Sequence, residues 1–566
     1  MGNGDIKTGK KEETMNKIVE CVPNFSEGRN PEIIKAITDE IEKVSGVMLL
    51  DVDPGKDTNR TVVTFAGSPE GVEEAAFQAI KKASELIDMS KHKGEHPRMG
   101  ATDVCPFVPV SGITIEECVE IANRLGKRVG EELNIPVYLY EYAAKDEKRK
   151  SLAYIREGEY EALEEKLKNP EFKPDYGEPV FNSKAGATVI GVREFLIAYN
   201  VNLNTRNVKI ARKIANRIRE KGRKVKDKKT GEKKQIPGTL KATRAVGWYI
   251  DEYNMAQISV NLLNYKITPL YRVFEEADKF AREFGVRVTG SELVGLIPLD
   301  AMLEVGRHFL KLQGVSTGVS ERELVRVAIQ SLGLEELGEF NPEHKIIEYR
   351  IKQKGKLASM NLYDFADELA SDSPAPGGGS VSALNAALSA GLSAMVGNLT
   401  YSKKDYKDVR EKMIEISEKG QKLKDFFIDA IDKDTDAFNE IMDAFSLPKK
   451  TDEEKEIRNK AIEDATKKAT LVPFSVLESL LQTAELALEV SKYGNKNSLS
   501  DSGVAGLTAY AGSLGALYNV LINLQSIEDE EFKKDLTEKS LKIIKDILKI
   551  TEEVKEIMFK EFGIEV

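Results

Sequence analysis

The hydrophobic period of this chain changes once, near residue 350, and that change limits the folds open to it more than any other feature. Up to Tyr349, short β-branched runs alternate with amphipathic stretches of helical period. Beyond it the strand-like runs cease, and apolar residues recur at steps of three and four. Period two suits a half-buried strand and period 3.6 a helix, so a single layered architecture cannot serve both halves. At 566 residues there is length for several cores, on the usual scale of about 100–200 residues per domain.

In the first half, Ile18–Val22, Val47–Val52, Thr61–Phe65 and Val137–Tyr142 read as strands, with helices over Pro31–Val44, Glu70–Ile87 and Glu117–Glu132. A similar order returns from Phe195–Leu203 through the basic helix Arg206–Glu220, the strands Val246–Ile250 and Gln257–Leu263, and the helices Pro269–Phe284 and Leu299–Leu312. The fold class expected is α+β, as two ferredoxin-like βαββαβ subdomains at 15–194 and 195–350, followed by an all-α helical bundle at 361–566. Residues 351–360 read as a linker, Lys224–Gly238 as an exposed loop, and 1–14 as a disordered leader with Met15 as an alternative start.

A net charge of −10 argues against bulk affinity for nucleic acid or an anionic membrane. No apolar run looks close to the ~20 residues of a membrane helix, and no signal peptide is read. The three cysteines, Cys21, Cys105 and Cys118, are odd in number and form no CxxC pair, which points to a reducing, cytoplasmic setting without a disulfide framework or zinc ribbon.

Two of the four histidines, His92 and His96, share one stretch with Glu95, Pro97, Arg98 and Asp103. Imidazole titrates nearest neutrality, so this is where proton chemistry is expected. The spacing H-x-x-E-H is also that of an inverted zinc-peptidase motif. That motif needs a helix to bring both rings to one face, and Gly94 and Pro97 oppose one. The favoured reading is a loop general base, His96, beside Arg98 and Asp103. Asp53, in the acidic run Asp51–Arg60, is placed to fix its tautomer, and Arg60 and Arg98 suit bidentate binding of substrate carboxylates. The bland alternative is a polar surface loop with its turns and ion pairs.

In the second half, the stripe Leu423, Phe427, Ile431, Asp434, Phe438, Ile441, Phe445 places one carboxylate among apolar turns. Desolvation there raises a carboxyl pKa, as a general acid requires, while Asp432 and Asp436 fall off the stripe and read as solvated. Gly377, Gly378, Gly379 and Ser380 open a helix and leave backbone N–H groups for an anion or a simple cap. Asn495 and Asp501 mark a helix junction, and Asn519 and Asn523 share a face at i, i+4, where they line a polar pocket or cap helix ends.

With these residues in view, Cys21–Gly28, Asp51–Arg60, His92–Asp103, Gly186–Gly191 and Phe195–Asn200 together resemble the glutamate formiminotransferase family over about 16–350. The resemblance implies transfer of a formimino group from N-formimino-L-glutamate to N5 of tetrahydrofolate, a late step of histidine breakdown, with His96 catalytic. It also implies a folate-binding stretch of Gly177, Glu178, Pro179, Val180, Phe181, Asn182, Ser183, Lys184, Ala185 and Gly186. Over about 360–560, the Pro-Gly-Gly-Gly-Ser loop, Met395–Thr400, Asp432-x-Asp434 and Asn519–Asn523 resemble formimidoyltetrahydrofolate cyclodeaminases. That implies closure of 5-formiminotetrahydrofolate to 5,10-methenyltetrahydrofolate with loss of ammonia, and Asp434 as proton donor. The same helical family includes methenyltetrahydrofolate cyclohydrolases, which stay an alternative, as does a zinc hydrolase on H-x-x-E-H. Tetrahydrofolate, polyglutamylated and guided by Lys403–Lys412, is the co-substrate expected; no metal is expected, and a homo-oligomer (a dimer or multiple of dimers) is.

Overall fold

The computed structural model describes residues 17–56, 59–94, 97–226, 232–351 and 355–564. The leader read over 1–14 lies outside them, and so do Glu95 and His96. The chain forms two compact units. The first runs to Ala301 and includes the stretch that begins at Leu332; the second takes Met302–Ser331 and the chain beyond residue 354.

The first unit opens with β1 (Ile18–Cys21) and β2 (Asn24–Phe25), one strand broken at Val22-Pro23, where proline has no N–H to donate. Then come α1 (Pro31–Glu42), β3 (Val47–Gly55), β4 (Arg60–Gly67), α2 (Pro69–Leu86), β5 (Thr102–Ser111), α3 (Ile115–Glu132) and β6 (Val137–Glu141). The short helices α4 (Leu152–Ile155) and α5 (Leu163–Leu167) precede β7 (Thr188–Val192). The helix starts are written in the sequence: Asn30 and Ser68 cap α1 and α2 ahead of prolines, and Thr114 with Glu117 makes a capping box for α3. β3, β4, the broken strand and β5 pair antiparallel in that spatial order; β7 and then β6 extend the sheet in parallel beyond β5. One face is buried under α1–α3, where alanines 75, 76, 79 and 83 let α2 lie close. On the other face α4 and α5 cover only the β5–β7–β6 side, with Ile155 and Leu163 against Tyr138 and Val189.

A second, four-stranded sheet follows. It is built from β8 (Ile197–Leu203), α6 (Val208–Ile218), β9 (Arg223–Lys226), β10 (Lys233–Ile236), β11 (Thr243–Ile250), β12 (Met255–Leu262), α7 (Leu270–Glu283) and β13 (Val288–Val294). Its order is β11-β12-β8-β13, antiparallel throughout. The Lys224–Gly238 stretch is not a plain loop: β9 and β10 pair as a separate antiparallel ribbon with nearly every side chain exposed. Ladder hydrogen bonds need no apolar face, so a lysine-rich ribbon leaves no hydrophobic period to read.

In the second unit, α8 (Leu299–Gln313) and α9 (Glu321–Leu332) join the helical half through the turn between them. Gly318 O accepts from Asn398 Nδ2 (2.8 Å) and Gln421 Nε2 (3.2 Å), and Thr317 Oγ1 donates to Glu418 Oε1 (2.6 Å). The chain returns to the first unit as α10 (Pro342–Lys345) and α11 (Ile347–Ile351), where Glu348 accepts from Leu299 N–H (2.7 Å). Six helices follow: α12 (Leu362–Leu369), α13 (Gly378–Tyr401), α14 (Arg410–Phe445), α15 (Asp452–Tyr493), α16 (Leu499–Leu524) and α17 (Glu530–Phe562). α13 and α16 are rich in Ala, Ser and Gly and pack backbone-close: a Cβ on Gly512 of α16 would meet Ser382 O of α13 at 3.1 Å, and one on Gly420 of α14 would meet Ala390 O of α13 at 2.8 Å.

The expectation that no segment reaches membrane-helix length is corrected. The spans Gly378–Tyr401, Asp452–Tyr493 and Lys496–Leu524 are long and apolar enough to cross a membrane by length and composition. Small residues raise their mean hydropathy, and 61%, 50% and 44% of the three apolar windows lie buried within the fold.

Glu20 is an outlier in the first sheet. Burial pushes its carboxyl up to about 7, against a partial pull from the Arg193 charge. Its folded pKa thus lies above the ordinary 4.5, so the contribution of this carboxyl to stability falls as pH rises from 4.5 through 7. Glu20→Gln should match wild type near pH 4 and exceed it by up to about 3 kcal/mol near pH 8, read from urea-unfolding free energies.

Candidate active sites

The histidine loop is fixed from both ends. Asn59, at φ 47°, accepts from Gly28 N–H through Oδ1 (3.0 Å) and donates from Nδ2 to Lys93 O (3.1 Å). His92 Nε2 lies 2.9 Å from Asn59 O, so it carries the proton and donates; Nδ1 accepts from Arg98 Nε (3.2 Å). Burial lowers the His92 pKa, outweighing the Asn59 carbonyl. His92 is thereby a neutral strut with both nitrogens engaged and no lone pair left for a metal, and His92–Gly94 is not helical. The proton-transfer role read for His96 falls on a residue outside the described ones.

Arg98 is buried and committed. Its guanidinium pairs with Glu159 (2.9 Å) and Glu161 (2.6 Å). With Lys93, Gly94 and Gly158 these groups line a cavity of about 450 Å³. Arg60 differs: its Nε is buried and has no hydrogen-bond partner among the described residues. Burial lowers its pKa, and the charges of Asp103, Arg156 and Asp53 all reach it. Asp53 is exposed, opposite Val62 on β4. Asp103 is buried, paired with Arg156 and accepting from Met99 N–H (3.0 Å).

The stretch Gly177–Gly186 reaches the same place. Gly100 bridges Gly186, Ala101 N–H donates to Ala185 O (2.8 Å), and Ala187 N–H donates to Met99 O (3.1 Å). Gly186 has φ +69°, and a Cβ there would collide with Met99 O. Within the stretch, Asn182 Oδ1 accepts from Ala185 N–H (2.9 Å) and Tyr160 donates to Ser183 O (2.6 Å). Glu178, Val180, Phe181, Asn182 and Ser183 line a second cavity, of about 460 Å³, with Asn134.

In the helical unit the start of α13 meets Asp434. A Cβ on Gly379 would collide with both Asp434 carboxylate oxygens, and Ser380 N–H donates to that carboxylate. Ser380 Oγ donates to Ile431 O (3.0 Å), and Gly378 lies against the Asn519 amide. Burial raises the Asp434 pKa, partly offset by the Ser380 N–H. The stripe leaves the core at this point: Phe427 and Ile431 are buried, but Phe438 and Phe445 are 38% and 48% exposed. Asp432 is not simply solvated. It accepts from Leu357 N–H (2.8 Å) and Ala358 N–H (2.9 Å), tying the connection before α12 to α14.

The four polar residues read along 495–523 are not brought together within one chain. Asp501 lies in the first turn of α16 and Asn519 roughly 27 Å along it at 1.5 Å per residue. Asn495 caps, donating to Thr400 Oγ1 (2.8 Å) at the far end of α13 and accepting from Asn497 N–H (3.1 Å). Asn523 Nδ2 donates to Ala469 O at a long 3.5 Å. Sequence reading missed Asn59, Arg156, Glu159 and Glu161. Asn59 alone left a trace, as an asparagine before arginine at a strand start where positive φ is tolerated.

The fold and its two sites define a two-part enzyme: an α/β unit whose histidine loop is tied to the 177–186 stretch, and a helical unit with a half-buried carboxyl beside a glycine-paved helix start. Residues 18–193 match the formiminotransferase domain, N-terminal subdomain; 198–352 match the formiminotransferase domain; and 361–542 match formiminotransferase-cyclodeaminase. The chain is 44% identical to the mouse (Mus musculus) formimidoyltransferase-cyclodeaminase over 92% of its length and 95% of that protein. It is 46% identical to the Thermoplasma acidophilum glutamate formimidoyltransferase (55% of this chain, 98% of that protein) and 41% identical to the Methylorubrum extorquens methenyltetrahydrofolate cyclohydrolase (30% and 82%). The chain belongs to the formimidoyltransferase-cyclodeaminase family.

The raised Asp434 pKa has a stability consequence. Its ionised form is disfavoured in the fold, a penalty absent below the ordinary 3.8 and growing as pH rises through the folded pKa. Asp434→Asn, whose Oδ1 still accepts from Ser380, should melt higher than wild type at pH 7, with the gap closing toward pH 3 in thermal scans.

Proposed function

We propose that the chain carries out two consecutive folate reactions, one in each unit. In the first, N5 of tetrahydrofolate attacks the formimino carbon of N-formimino-L-glutamate, the C–N bond to glutamate breaks, and the N5 proton passes through His96 to the departing glutamate nitrogen. Asp53 supports the imidazolium. Arg60, whose Nε has no described partner, is the better fit to a substrate carboxylate, because the Arg98 guanidinium is taken by Glu159 and Glu161. The observation that carries this step is the Gly100–Gly186 bridge, which joins the histidine loop to the folate-binding stretch.

In the second reaction N10 attacks the formimino carbon, the exocyclic C–N bond breaks, and Asp434 protonates the nitrogen that leaves as ammonia. Its raised pKa and its place beside Gly378, Gly379, Ser380 and Asn519 support this. The 41% identity to a methenyltetrahydrofolate cyclohydrolase favours one alternative, hydrolysis of the methenyl bridge by the same bundle.

The spatial order β3-β4-β1/β2-β5 and the order β11-β12-β8-β13 both fit a ferredoxin-like βαββαβ unit, the first extended by two parallel strands. A place in histidine degradation, a cytoplasmic setting and polyglutamylated folate follow from the same reading. So does a homo-oligomer, supported by exposed Leu388, Met395 and Leu399 on α13 and Leu507, Tyr518 and Ile522 on α16.

The test mixes the full chain anaerobically with tetrahydrofolate and N-formimino-L-glutamate, following methenyltetrahydrofolate by absorbance and ammonia by a coupled assay. Both products are expected. His96→Ala should lower formimino transfer by about 10²–10⁴-fold. Asp434→Asn should leave 5-formiminotetrahydrofolate accumulating with ammonia release suppressed. Methenyltetrahydrofolate hydrolysis without ammonia release from the formimino compound would assign the alternative.

A further inference from the structure

The face of the four-stranded sheet turned away from α6 and α7 carries an arrangement that neither site above uses. The strands pair so that three rows of side chains cross it: Trp248–Gln257–Asn202, Val246–Ser259–Asn200–Glu292, and Arg244–Asn261–Ala198–Val294. The alternating neighbours Tyr199, Val201, Leu203, Ile258 and Val260 are fully buried on the helix side.

The first two rows are polar and organised. Trp248 Nε1 donates to Gln257 Oε1 (3.1 Å), Gln257 Nε2 to Asn202 Oδ1 (2.8 Å), and Asn202 Nδ2 to Glu336 Oε2 (2.7 Å). Asn200 Nδ2 donates to Glu292 Oε2 (3.0 Å), with Gln257 Nε2 a longer second donor at 3.4 Å. Gln257 and Asn202 are fully buried and Asn200 nearly so, positions amides seldom occupy. Both amide donors converge on one oxygen of Glu292, which leaves acceptor capacity on that half-buried carboxylate for donors from outside the sheet. Tyr253 stands within reach of a hydrogen bond to Glu292, whose charge raises the phenol pKa, so part of that capacity already meets a hydroxyl.

The frame around this carboxylate is apolar and open. Val246, Trp248 and Val294 are 54%, 40% and 48% exposed, and Trp248 is the only tryptophan in the chain. A rigid carboxylate takes two parallel N–H donors best, and an exposed indole held by its N–H offers a flat face for stacking. One ligand class answers both: a planar heterocycle with two adjacent N–H donors on one edge. The 2-amino group and N3–H of a 2-amino-4-oxopteridine are such an edge. The formimino group of formiminoglutamate also carries N–H donors, but it has no ring to lie on the indole.

We propose that Glu292 and Trp248 form the subsite of the first unit that holds the pteridine ring of reduced folate, Glu292 accepting from the 2-amino group and N3–H and Trp248 lying against the ring. This rests on the folate reading above. Asn200 and Gln257 are positioning residues that fix the carboxylate and the indole.

Because Trp248 is the sole tryptophan, its fluorescence reports on this face alone. The full chain is titrated with 5-formyltetrahydrofolate, with 6-methyltetrahydropterin (the ring without the tail) and with p-aminobenzoylglutamate (the tail without the ring). Saturable changes are expected from the first two and none from the third. Glu292→Gln should weaken both by about tenfold or more, raise KM for tetrahydrofolate and leave KM for N-formimino-L-glutamate in place. Trp248→Ala, a second route should Glu292→Gln melt early, should raise the same KM. Unchanged affinity in Glu292→Gln, a response to the tail but not the ring, or a rise confined to the formiminoglutamate KM would overturn the assignment. A flat titration with formimino transfer intact sinks the subsite and leaves the proposed reaction standing. A saturating titration without any formimino transfer does the reverse.

Discussion

Backbone crosses backbone at Gly100 and Gly186 with no room for a side chain on either, and the first site depends on that crossing. Ala185 O, Met99 O and Ala187 O crowd the two glycines, and Gly186 takes a φ of +69° to let the strands close. The contact anchors the end of the histidine loop to the end of the 177–186 stretch, though the two lie far apart in sequence. Asn59 anchors the loop's other side through Gly28 and Lys93. Ties of this kind on both sides of a loop lower the entropic cost of ordering the residues they hold.

The helical unit reaches a comparable result by other means. Two helices of small residues, α13 and α16, approach closely enough that a Cβ on Gly515 would collide with Ser382 Oγ. Gly379 makes space for a carboxylate where any side chain would expel it, so the residue that lets the helix start also admits Asp434. The Ser380 N–H meets that carboxylate, but its one hydrogen bond does not offset the burial, and the acid stays easier to protonate than a surface aspartate.

Much of this was legible in the sequence where period or capping chemistry sets structure: the switch near residue 350, the starts at Asn30, Ser68 and Thr114, and Asp434 on an otherwise apolar stripe. What escaped has physical reasons. Thr188–Val192, buried on both faces, shows no alternation, so its parallel pairing beside β5 left no period. The β9–β10 ribbon lacks an apolar face altogether. Met302–Ser331 has ordinary helical period, and only contacts at Gly318 with Asn398 and Gln421 reveal which core it joins. Asp432 points off the stripe and was read as solvated, because the backbone N–H groups it accepts from come from a segment over 70 residues away. The alternation Asn200, Asn202 was a usable trace: two amides on one face of a β-branched run belong to a polar sheet surface rather than a core.

Glu20 and Asp434 show why a raised pKa alone does not make an acid useful. Desolvation is the leading cause for both. Glu20 sits in a central strand at 4% exposure, flanked across the ladder by Ala66 and Val108. Asp434 stands where its helix leaves the core: Ile431 one turn back is buried, and Phe438 one turn on is exposed. At that boundary the carboxyl is half-buried, enough to raise its pKa above that of a surface acid while leaving it within reach. General acid catalysis asks for access as well as a raised pKa, and of these two carboxyls Asp434 is the one at the edge of its core.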